Sequence, residues 1–513
     1  MRVALPRPNV MDGIVSLPSW RCCWSTCGGS PRLSRLPAEH QSRRRSSMTW
    51  REQLIPAPML RAAIVAPEEH MRRVLVEVAD SGTFEPDPSP TGPANSTGTL
   101  IERATPLRPD ASPLLSVSLV EVEELPTDAD FSLLLGEAEL EQRTEAASHV
   151  GRCVVLPGWI PARDIRALRA LIAPHGGAVA ELPTRHGLVT PTVHADSSVS
   201  KSLRPLVSTY ATVPYRDIDP TLFAALSYMV MFGMMFGDVA HGFAIVALGV
   251  VAYRSNSGRL RAARPAAPFL IGAGLAAMGF GLLYGEAFGP TGLVPTIWFR
   301  PLDDPMKLLL VGLVVGSFLL ATTFVLAIVN RWREAGPAVA LYDASGIAGA
   351  LIFAGGAAFV GGIAGSTVWL QQVGGALAIV GLVLTFTGMF VKAGRGGPGL
   401  AEAIVETFDT VLRLGSNVVS FTRLAAFGLT HAVITAVVWD GTVSLWNRNT
   451  LLAFIAATTL FAFGNLAAFT LGALVGAIQA LRLEYYEMFS RLFATQGRSF
   501  EPWHIPTQRL DTS

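Results

Sequence analysis

The sequence is poor in charged residues. Lys, Arg, Asp and Glu make up only 15% of its 513 residues, whereas 50% are hydrophobic. This balance excludes an ordinary soluble enzyme. Charges and prolines occur throughout residues 1 to about 219, and long uncharged runs dominate from Thr221 onward. The pattern predicts a soluble domain followed by a polytopic membrane domain.

Cysteine is too scarce to define a metal site. Cys22, Cys23 and Cys27 lie near the start and Cys153 stands alone, so His40 would have to complete a set whose spacing does not fit zinc. We predict no metal and no cofactor. The formal net charge of +1 does not indicate a nucleic-acid partner. The phosphate-binding pattern GxxxxGK[ST] is missing, so the chain should not hydrolyse ATP itself.

Residues 1–47 differ from the rest of the chain. They contain Arg43, Arg44 and Arg45 but no apolar stretch suited to a signal peptide. We treat them as a doubtful or disordered leader and expect translation to begin at Met48.

The segment 48–215 has the pattern of a small α+β domain. LRAAIVA suits a strand, and Pro67 followed by two glutamates should open a helix that Gly82 ends. Residues 85–98 are predicted to be a flexible linker. A second strand, RCVVLPGWI, should lead into a helix from Pro161 to about Ala173, followed by the strand AVAEL.

The segment 216–490 is predicted to be an all-α membrane domain of about eight spans, followed by a cytoplasmic tail, 491–513. The spans are expected at Leu222–Phe236, Gly242–Tyr253, Pro268–Phe288, Met306–Val329, about Ala344–Ile363, Val373–Val391, Ala401 to about Val438, and Leu451 to about Phe489. The first two are short and form a hairpin. The last two are long: a helix over 401–438 would measure ~57 Å against a hydrocarbon core of ~30 Å. Each must tilt, break or project into water.

Basic residues set the predicted orientation. In an eight-span arrangement one side carries Arg254, Arg259, Arg261, Arg264, Arg331, Arg333, Lys392, Arg395, Arg491, Arg498 and Arg509. The other side carries only Arg300 and Lys307, offset by Asp303 and Asp304. We therefore expect a multi-pass protein of a prokaryotic cell membrane with a cytoplasmic N-terminal domain and C-terminus. The chain shows no internal repeat, which weighs against many secondary transporters.

Polar residues form a stripe along the seventh predicted span. Glu402, Asp409, Ser416, Arg423 and Thr430 are seven residues apart, so they share one helix face. Ser420, Asn417 and His431 flank the stripe, and Glu406 pairs with Arg413 at the same spacing on a neighbouring face. A polar seam between helices would explain some of them. Arg423 lies too deep to reach the interface easily, and a charge at that depth costs at least ~2.5–3.5 kcal/mol.

The eighth span has a counterpart. Arg482 is isolated among apolar residues, with Gln479 one turn away and Glu484 and Glu487 toward the predicted cytoplasmic end. These residues could anchor the helix end. Two arginines in two long helices instead favour an ion path, because a guanidinium cannot lose its proton and blocks a continuous proton wire. It also favours the ionised form of a carboxylate that comes near.

Several stretches together resemble the membrane subunit, called subunit a or subunit I, of V-type and archaeal-type rotary ATPases. The stretches are GWIPARD at 158, DIDPTLFAALSYMVMFGMMFGDVAHG at 217–242, GLLYGEAFG at 281, DPMKLLL at 304, SFTRLAAFGLTHA at 420 and QALRLEYYEMFSRLFATQGRSFEPW at 479. They cover most of residues 150–505 in the family's order.

The resemblance implies an ion-conducting stator that faces a rotating proteolipid ring and supplies two offset half-channels. Arg423 would meet the ring carboxylate, and Arg482 would be the second arginine of that interface. The implied half-channel candidates are Glu406, Asp409, Ser416, Asn417, Ser420, His431, Gln479, Glu484 and Glu487. Asp238, His241 and Glu286 are further site candidates because they match family motifs, and Glu402 of the polar stripe is another. The implied partners are the ring, peripheral-stalk subunits, the soluble nucleotide-binding sector and the lipid bilayer.

The sequence also departs from the family. The region 84–150 is too short for the usual helical-hairpin arm, Glu484 stands where histidine is common, and Gly472 lies near a position that is often acidic. Two alternatives therefore stay open: a secondary transporter, and a structural subunit of the same complex that does not conduct.

Overall fold

The computed structural model describes residues 56–87, 112–117, 131–184, 188–193, 198–255, 261, 263–394, 397–493 and 495–508. These residues fall into two compact units. The first combines Pro56–His194 with Gly497–Ser513, and the second is Ala195–Gln496. The predicted leader, the expected start at Met48 and most of the predicted linker lie outside the described residues.

An antiparallel sheet forms the centre of the first unit. Its strands are β1 (Met59–Pro67), β2 (Glu85–Pro86), β4 (Ser148–Val150), β5 (Cys153–Pro161) and β6 (Ala178–Glu181). The strand order is β2–β5–β1–β6, and β4 also pairs with β5. The first residues of the predicted linker are thus a strand, because Glu85 and Pro86 pair with Trp159 and Gly158.

Helices α1 (Glu68–Ser81), α2 (Phe131–Ala146) and α3 (Ile165–Ile172) belong to the same unit. The predicted first helix is confirmed, and Gly82 ends it in the left-handed conformation with φ 55°. The predicted start of the other helix at Pro161 is wrong. Pro161 is the last residue of β5 and pairs with Met59, so α3 begins only at Ile165.

Gly158 of the GWIPARD stretch lets β2 lie directly against β5. A Cβ atom at this position would lie 2.3 Å from the carbonyl oxygen of Glu85 and 2.4 Å from the Phe84 ring. The next residue, Trp159, is buried in the unit. Only glycine allows this close approach of the two strands.

The C-terminal segment returns to the first unit. Strand β8 (Arg498–Ser499) pairs in parallel with β7 (Pro191–Thr192), and β9 (Thr507–Gln508) pairs with β3 (Leu115–Ser116). The segments Pro56–His194 and Gly497–Ser513 therefore belong to one compact unit, although the whole of the second unit lies between them in the sequence.

Side chains of the same segment fix it in place. Trp503 is buried and donates its indole N–H to Glu139 at 2.7 Å, while its backbone N–H bonds the Phe84 carbonyl at 2.9 Å. Arg498 pairs with Glu85 at 3.0 Å. Burial nevertheless raises the pKa of Glu85, although the Glu501 backbone N–H and Arg498 both oppose the rise.

We predict that Trp503→Ala destabilises the first unit by roughly 3–5 kcal/mol, the usual cost of emptying a buried aromatic site. The measurement is denaturant unfolding of the full-length protein in detergent, followed by protease cleavage within the unit. Val189→Ala, at a residue that is 60% exposed, is the control and should leave stability within about 0.5 kcal/mol. Equal stability of the two variants would contradict the role of the tail.

Six helical segments in the described part of the chain are long and apolar enough to cross a membrane. They are Arg264–Tyr284, Pro305–Ala335, Pro337–Ala364, Val368–Ala393, Gly397–Trp446 and Leu451–Leu492. A multi-pass membrane unit is therefore supported, but eight spans are not confirmed. The first predicted pair consists of α5 (Thr221–Met235) and α6 (Val239–Arg254), whose 15 and 16 residues fall short of the ~20 that a span requires.

The helices of this unit are named in chain order. After α4 (Ser198–Ser208), α5 and α6 come α7 (Ala267–Tyr284), α8 (Pro305–Ala335), α9 (Pro337–Tyr342), α10 (Ile347–Ala364), α11 (Val368–Ala393), α12 (Gly397–Ser420), α13 (Thr422–Trp446), α14 (Leu451–Leu483) and α15 (Ser490–Leu492). A π-helix, Glu484–Phe489, joins α14 to α15.

A local break in the α-helical hydrogen bonding lies at Phe421, between α12 and α13, although the helical segment Gly397–Trp446 continues through it. The backbone tightens there, because the Phe421 N–H bonds the Val418 carbonyl and the Leu424 N–H bonds the Phe421 carbonyl. The Phe421 side chain is fully buried against Gly316 of α8, where a Cβ atom would lie 2.1 Å from the ring. Arg423 therefore lies in the first turn of α13, directly after this break.

A charged cluster lies at the C-terminal end of α8. Arg331 is buried and pairs with Glu334 at 3.2 Å and with Asp343 at 3.7 Å. Asp217, in the loop before α5, is fully buried beside it. Burial and the neighbouring Glu334 raise the pKa of Asp217 to about 7, against the opposing effect of Arg331.

This pKa predicts a pH-dependent stability. The folded protein holds the Asp217 proton more tightly than the unfolded chain, so its contribution is complete at acidic pH and is lost as pH rises through about 7. Wild type should lose up to about 1.4 kcal/mol per pH unit relative to Asp217→Asn between pH 5 and pH 7. Thermal unfolding of both proteins across that range measures the gap. Asp303→Asn, at an exposed carboxylate, is the control; a gap that does not change with pH would contradict the assignment.

Candidate functional site

The polar stripe of the predicted seventh span lies on a face that the described part of the chain leaves open. Glu402, Ser416 and Thr430 are exposed, and Asp409 and Arg423 are partly exposed. The buried residues of α12 and α13 lie elsewhere on the helices; they include Ala403, Thr410, Leu414, Leu424, Ala425 and Gly428. The stripe keeps its exposure on both sides of the break at Phe421. We call this surface the open face.

The two arginines differ in exposure. Arg423 is half-buried and Arg482, on α14, is exposed. Among the residues that the structure describes, neither guanidinium forms an ion pair. Glu487 is near enough to interact electrostatically with both. Arg423 and Arg482 therefore interact with the Glu487 carboxylate at a distance and form no ion pair with it.

Glu487 belongs to a partly buried network that joins α12 to the π-helix and to α15. In the orientation that satisfies both ends of its amide, Asn417 donates to Glu487 at 2.8 Å and accepts from the Arg491 guanidinium at 2.8 and 3.1 Å. Glu487 and Arg491 are both buried. Ser420 lies beside Glu487 as well. The network brings together Asn417, Ser420 and Glu487, all predicted as site residues.

Arg491 is the member of this network that the sequence argument missed as a site residue. In the sequence, Arg491 appears only as one of the basic residues that follow the last predicted span. Its position four residues after Glu487 is the signal that could have identified it, since residues at this spacing share a helix face. The guanidinium also lies 5.1 Å from the centroid of the Phe324 ring of α8.

Glu484 is fully buried one turn before Glu487. Both of its carboxylate oxygens accept from the Ser227 hydroxyl of α5, at 2.8 and 3.0 Å. It opens the π-helix, a local widening that is frequent at functional sites. Gln479 is half-buried on the preceding turn, and its side-chain oxygen has no hydrogen-bond partner among the described groups.

A second buried cluster consists of Asp238, His241 and His431. Asp238 is the N-cap of α6 and accepts from the backbone N–H groups of Ala240 and His241, each at 2.9 Å. Its other oxygen accepts from Gly289 N–H at 3.0 Å. The two imidazole rings are 5.5 Å apart between centroids. The topology therefore joins the GDVAH stretch to SFTRLAAFGLTHA.

The GLLYGEAFG stretch forms the loop after α7, whose backbone bonds to Asp238 and Val239. Val239 N–H bonds the Glu286 carbonyl at 2.9 Å, and Gly285 and Gly289 adopt positive φ. The Glu286 side chain is buried in this loop. Burial and the nearby Asp238 raise the pKa of Glu286 to about 8, although Arg300 lowers it.

Other predicted site residues stay outside both clusters. Glu402, Glu406 and Ser416 are all exposed on α12. Asp409 pairs with Arg413 at 2.6 Å across one helical turn. Arg413 therefore pairs with Asp409, whereas the sequence spacing suggested Glu406.

Residues 145–291 match the V-type ATPase 116kDa subunit family. This range includes GWIPARD, the α5–α6 hairpin and the loop that carries Glu286. The chain is a relative of the V/A-type membrane subunit. The resemblance predicted from the sequence is thereby confirmed.

Curated relatives agree with this family. The chain is 26% identical to the A-type ATP synthase subunit I of Aeropyrum pernix over 419 residues, which is 70% of this chain and 59% of the relative. It is 24% identical to the subunit I of Archaeoglobus fulgidus over 73% of this chain and 61% of the relative. The match to the subunit I of Halobacterium salinarum is 26% identical over 56% and 48%. The chain spans about three fifths of the length of the first two relatives.

We predict that Asn417→Leu lowers the stability of the membrane unit by about 1–3 kcal/mol, because it leaves buried groups of Glu487 and Arg491 without hydrogen-bond partners. Thermal unfolding in detergent measures the change. Asn447→Leu, at an exposed position after α13, is the matched control. Identical melting temperatures for the two variants would show that the network contributes nothing.

Proposed function

We propose that this chain is the ion-conducting stator subunit of a V/A-type rotary ATPase, and that its open face meets a proteolipid ring. The open face itself is the observation that carries the proposal. Helices apolar enough to cross a membrane expose a row of polar side chains and a half-buried arginine. Lipid cannot satisfy such groups, so another protein must cover them.

The chemistry of Arg423 sets the requirement on that partner. The guanidinium stays charged, and at ~4 Å with an effective dielectric of ~20 a carboxylate would gain about 4 kcal/mol before desolvation. Because Arg423 is only half-buried, a carboxylate on a passing helix can reach it. That carboxylate releases its proton beside Arg423 and must bind another before it moves into lipid. Arg482 extends the positive region along the neighbouring helix.

The two buried clusters are suited to the two half-channels. Ser420 precedes Arg423 by three residues and His431 follows it by eight, which places them ~4.5 Å and ~12 Å along the helix axis in opposite directions. One route would use Asn417, Ser420, Gln479, Glu484 and Glu487. The other would use Asp238, His241 and His431. Arg423 would stand between them and prevent a direct leak.

The remaining partners follow from the same assignment. The first unit would be the cytoplasmic stator domain, attached to peripheral-stalk subunits, and the nucleotide-binding sector would be a separate soluble assembly. Pro56–His194 and Gly497–Ser513 belong to one compact unit, which supports a common side for the soluble domain and the C-terminus, and the basic helix ends support the cytoplasmic side.

The decisive variant is Arg423→Ala. ATP-driven proton pumping into membrane vesicles should fall below detection, because nothing then forces the ring carboxylate to ionise, while ATP hydrolysis by the soluble sector persists. Quenching of a pH-sensitive dye measures pumping, and co-purification of the ring measures assembly.

Arg448→Ala, at an exposed position after α13, is the control and should pump at the wild-type rate. Normal acidification by an assembled Arg423→Ala complex would refute the proposal. Purification of the wild-type chain without a ring would favour the secondary-transporter alternative.

A further inference from the structure

The cluster of Asp238, His241 and His431 has unused bonding capacity. All four ring nitrogens of the two histidines are buried without a hydrogen-bond partner among the described groups. One donor atom from each of the three residues lies within 4.8 Å of the other two. The Asn465 side chain interacts with His241, and its buried oxygen makes no hydrogen bond of normal geometry among the described groups. Buried polar atoms of this kind destabilise the fold when nothing binds them.

The surrounding chain holds these donors in place. The backbone N–H groups of Ala240 and His241 both donate to Oδ1 of Asp238, and Gly289 N–H donates to Oδ2, which keeps one lone pair for a further ligand. The His431 ring packs against the Phe236 ring at 4.7 Å between centroids. Gly472 makes room for it, since a Cβ atom there would lie 2.6 Å from Nδ1 of His431.

We infer that Asp238, His241 and His431 form a binding site for a divalent transition-metal ion of the Zn²⁺ class. Two imidazole nitrogens and one carboxylate oxygen are a ligand set that Zn²⁺ uses with a fourth position left open. Asn465 or water could fill that position. The nitrogen ligands disfavour Ca²⁺ and Mg²⁺, which prefer oxygen. Glu286 lies near enough to Asp238 to interact with it, and so adds a second acidic group beside the site.

Metal binding at this site would have a functional consequence that rests on the proposed function. An ion held by both histidines would occupy the polar groups of one half-channel and stop ion flow there. The binding itself does not depend on that function, so the two statements can fail separately.

Direct binding to the full-length chain in detergent is the primary test. Chelator-treated protein is titrated with ZnCl₂, and bound zinc is counted by mass spectrometry. One tight site per chain is expected, and His241→Gln and His431→Gln should each weaken it at least tenfold. His149→Gln, at an exposed histidine of the first unit, is the matched control and should bind as wild type. Absence of a tight site in wild type, or unchanged affinity in the double His241/His431 variant, would overturn the proposal.

X-ray absorption at the zinc edge tests the ligands without any substitution. The spectrum of the wild-type complex should require about two imidazole ligands, and a shell without imidazole would refute the site. Asp238→Asn keeps an acceptor for the α6 cap and should still weaken binding. A wild-type affinity in that variant would remove Asp238 from the ligand set.

The functional arm compares pumping in vesicles. Zinc should inhibit the wild-type complex and the His149→Gln complex equally. Inhibition should weaken at least tenfold in any His431→Gln complex that still pumps. If zinc binds as expected but leaves wild-type pumping unchanged, the metal site stands and its place in the half-channel is refuted.

Discussion

A guanidinium cannot release its proton, so Arg423 keeps its charge wherever α13 places it. That constraint shapes the helices around it. The chain leaves Arg423 half-exposed and without an ion pair among the described residues, and it keeps Glu487 within electrostatic reach. Full burial in an internal salt bridge would have made the charge inert. The arrangement instead leaves it available to an acid on another protein, as the proposed function requires.

The neighbouring network fixes Glu487, the carboxylate that interacts electrostatically with Arg423. Asn417 links Glu487 to Arg491, and Glu484 is satisfied separately by Ser227. Two carboxylates one helical turn apart therefore have different environments, one among cations and one against a hydroxyl. The break at Phe421 places Arg423 in the first turn of a new helix, fixed by packing of the Phe421 ring on Gly316. Polar groups in such a setting are stabilising only when each has a partner.

The second cluster and the C-terminal segment both depend on contacts between residues that lie far apart along the chain. Asp238 caps α6 and binds Gly289 across 51 residues, and Trp503 binds Glu139 across 364. Both contacts join segments that lie far apart along the chain. The first holds the Asp238 carboxylate beside His241 and His431. The second joins the C-terminal segment to the first unit.

The sequence by itself predicted the α+β region followed by long apolar helices, the strand–helix pattern around Gly82 and the resemblance to the V/A-type subunit, because hydropathy, turn residues and motifs are local properties. It also placed Arg423 and its stripe on one helix face, since a period of seven nearly matches two helical turns. Only the tertiary structure decided the break at Phe421, the role of Arg491, the pairing of Asp409 with Arg413 and the approach of His241 to His431. Those features depend on contacts between side chains that lie far apart along the chain. The sequence alone does not show which of these side chains meet.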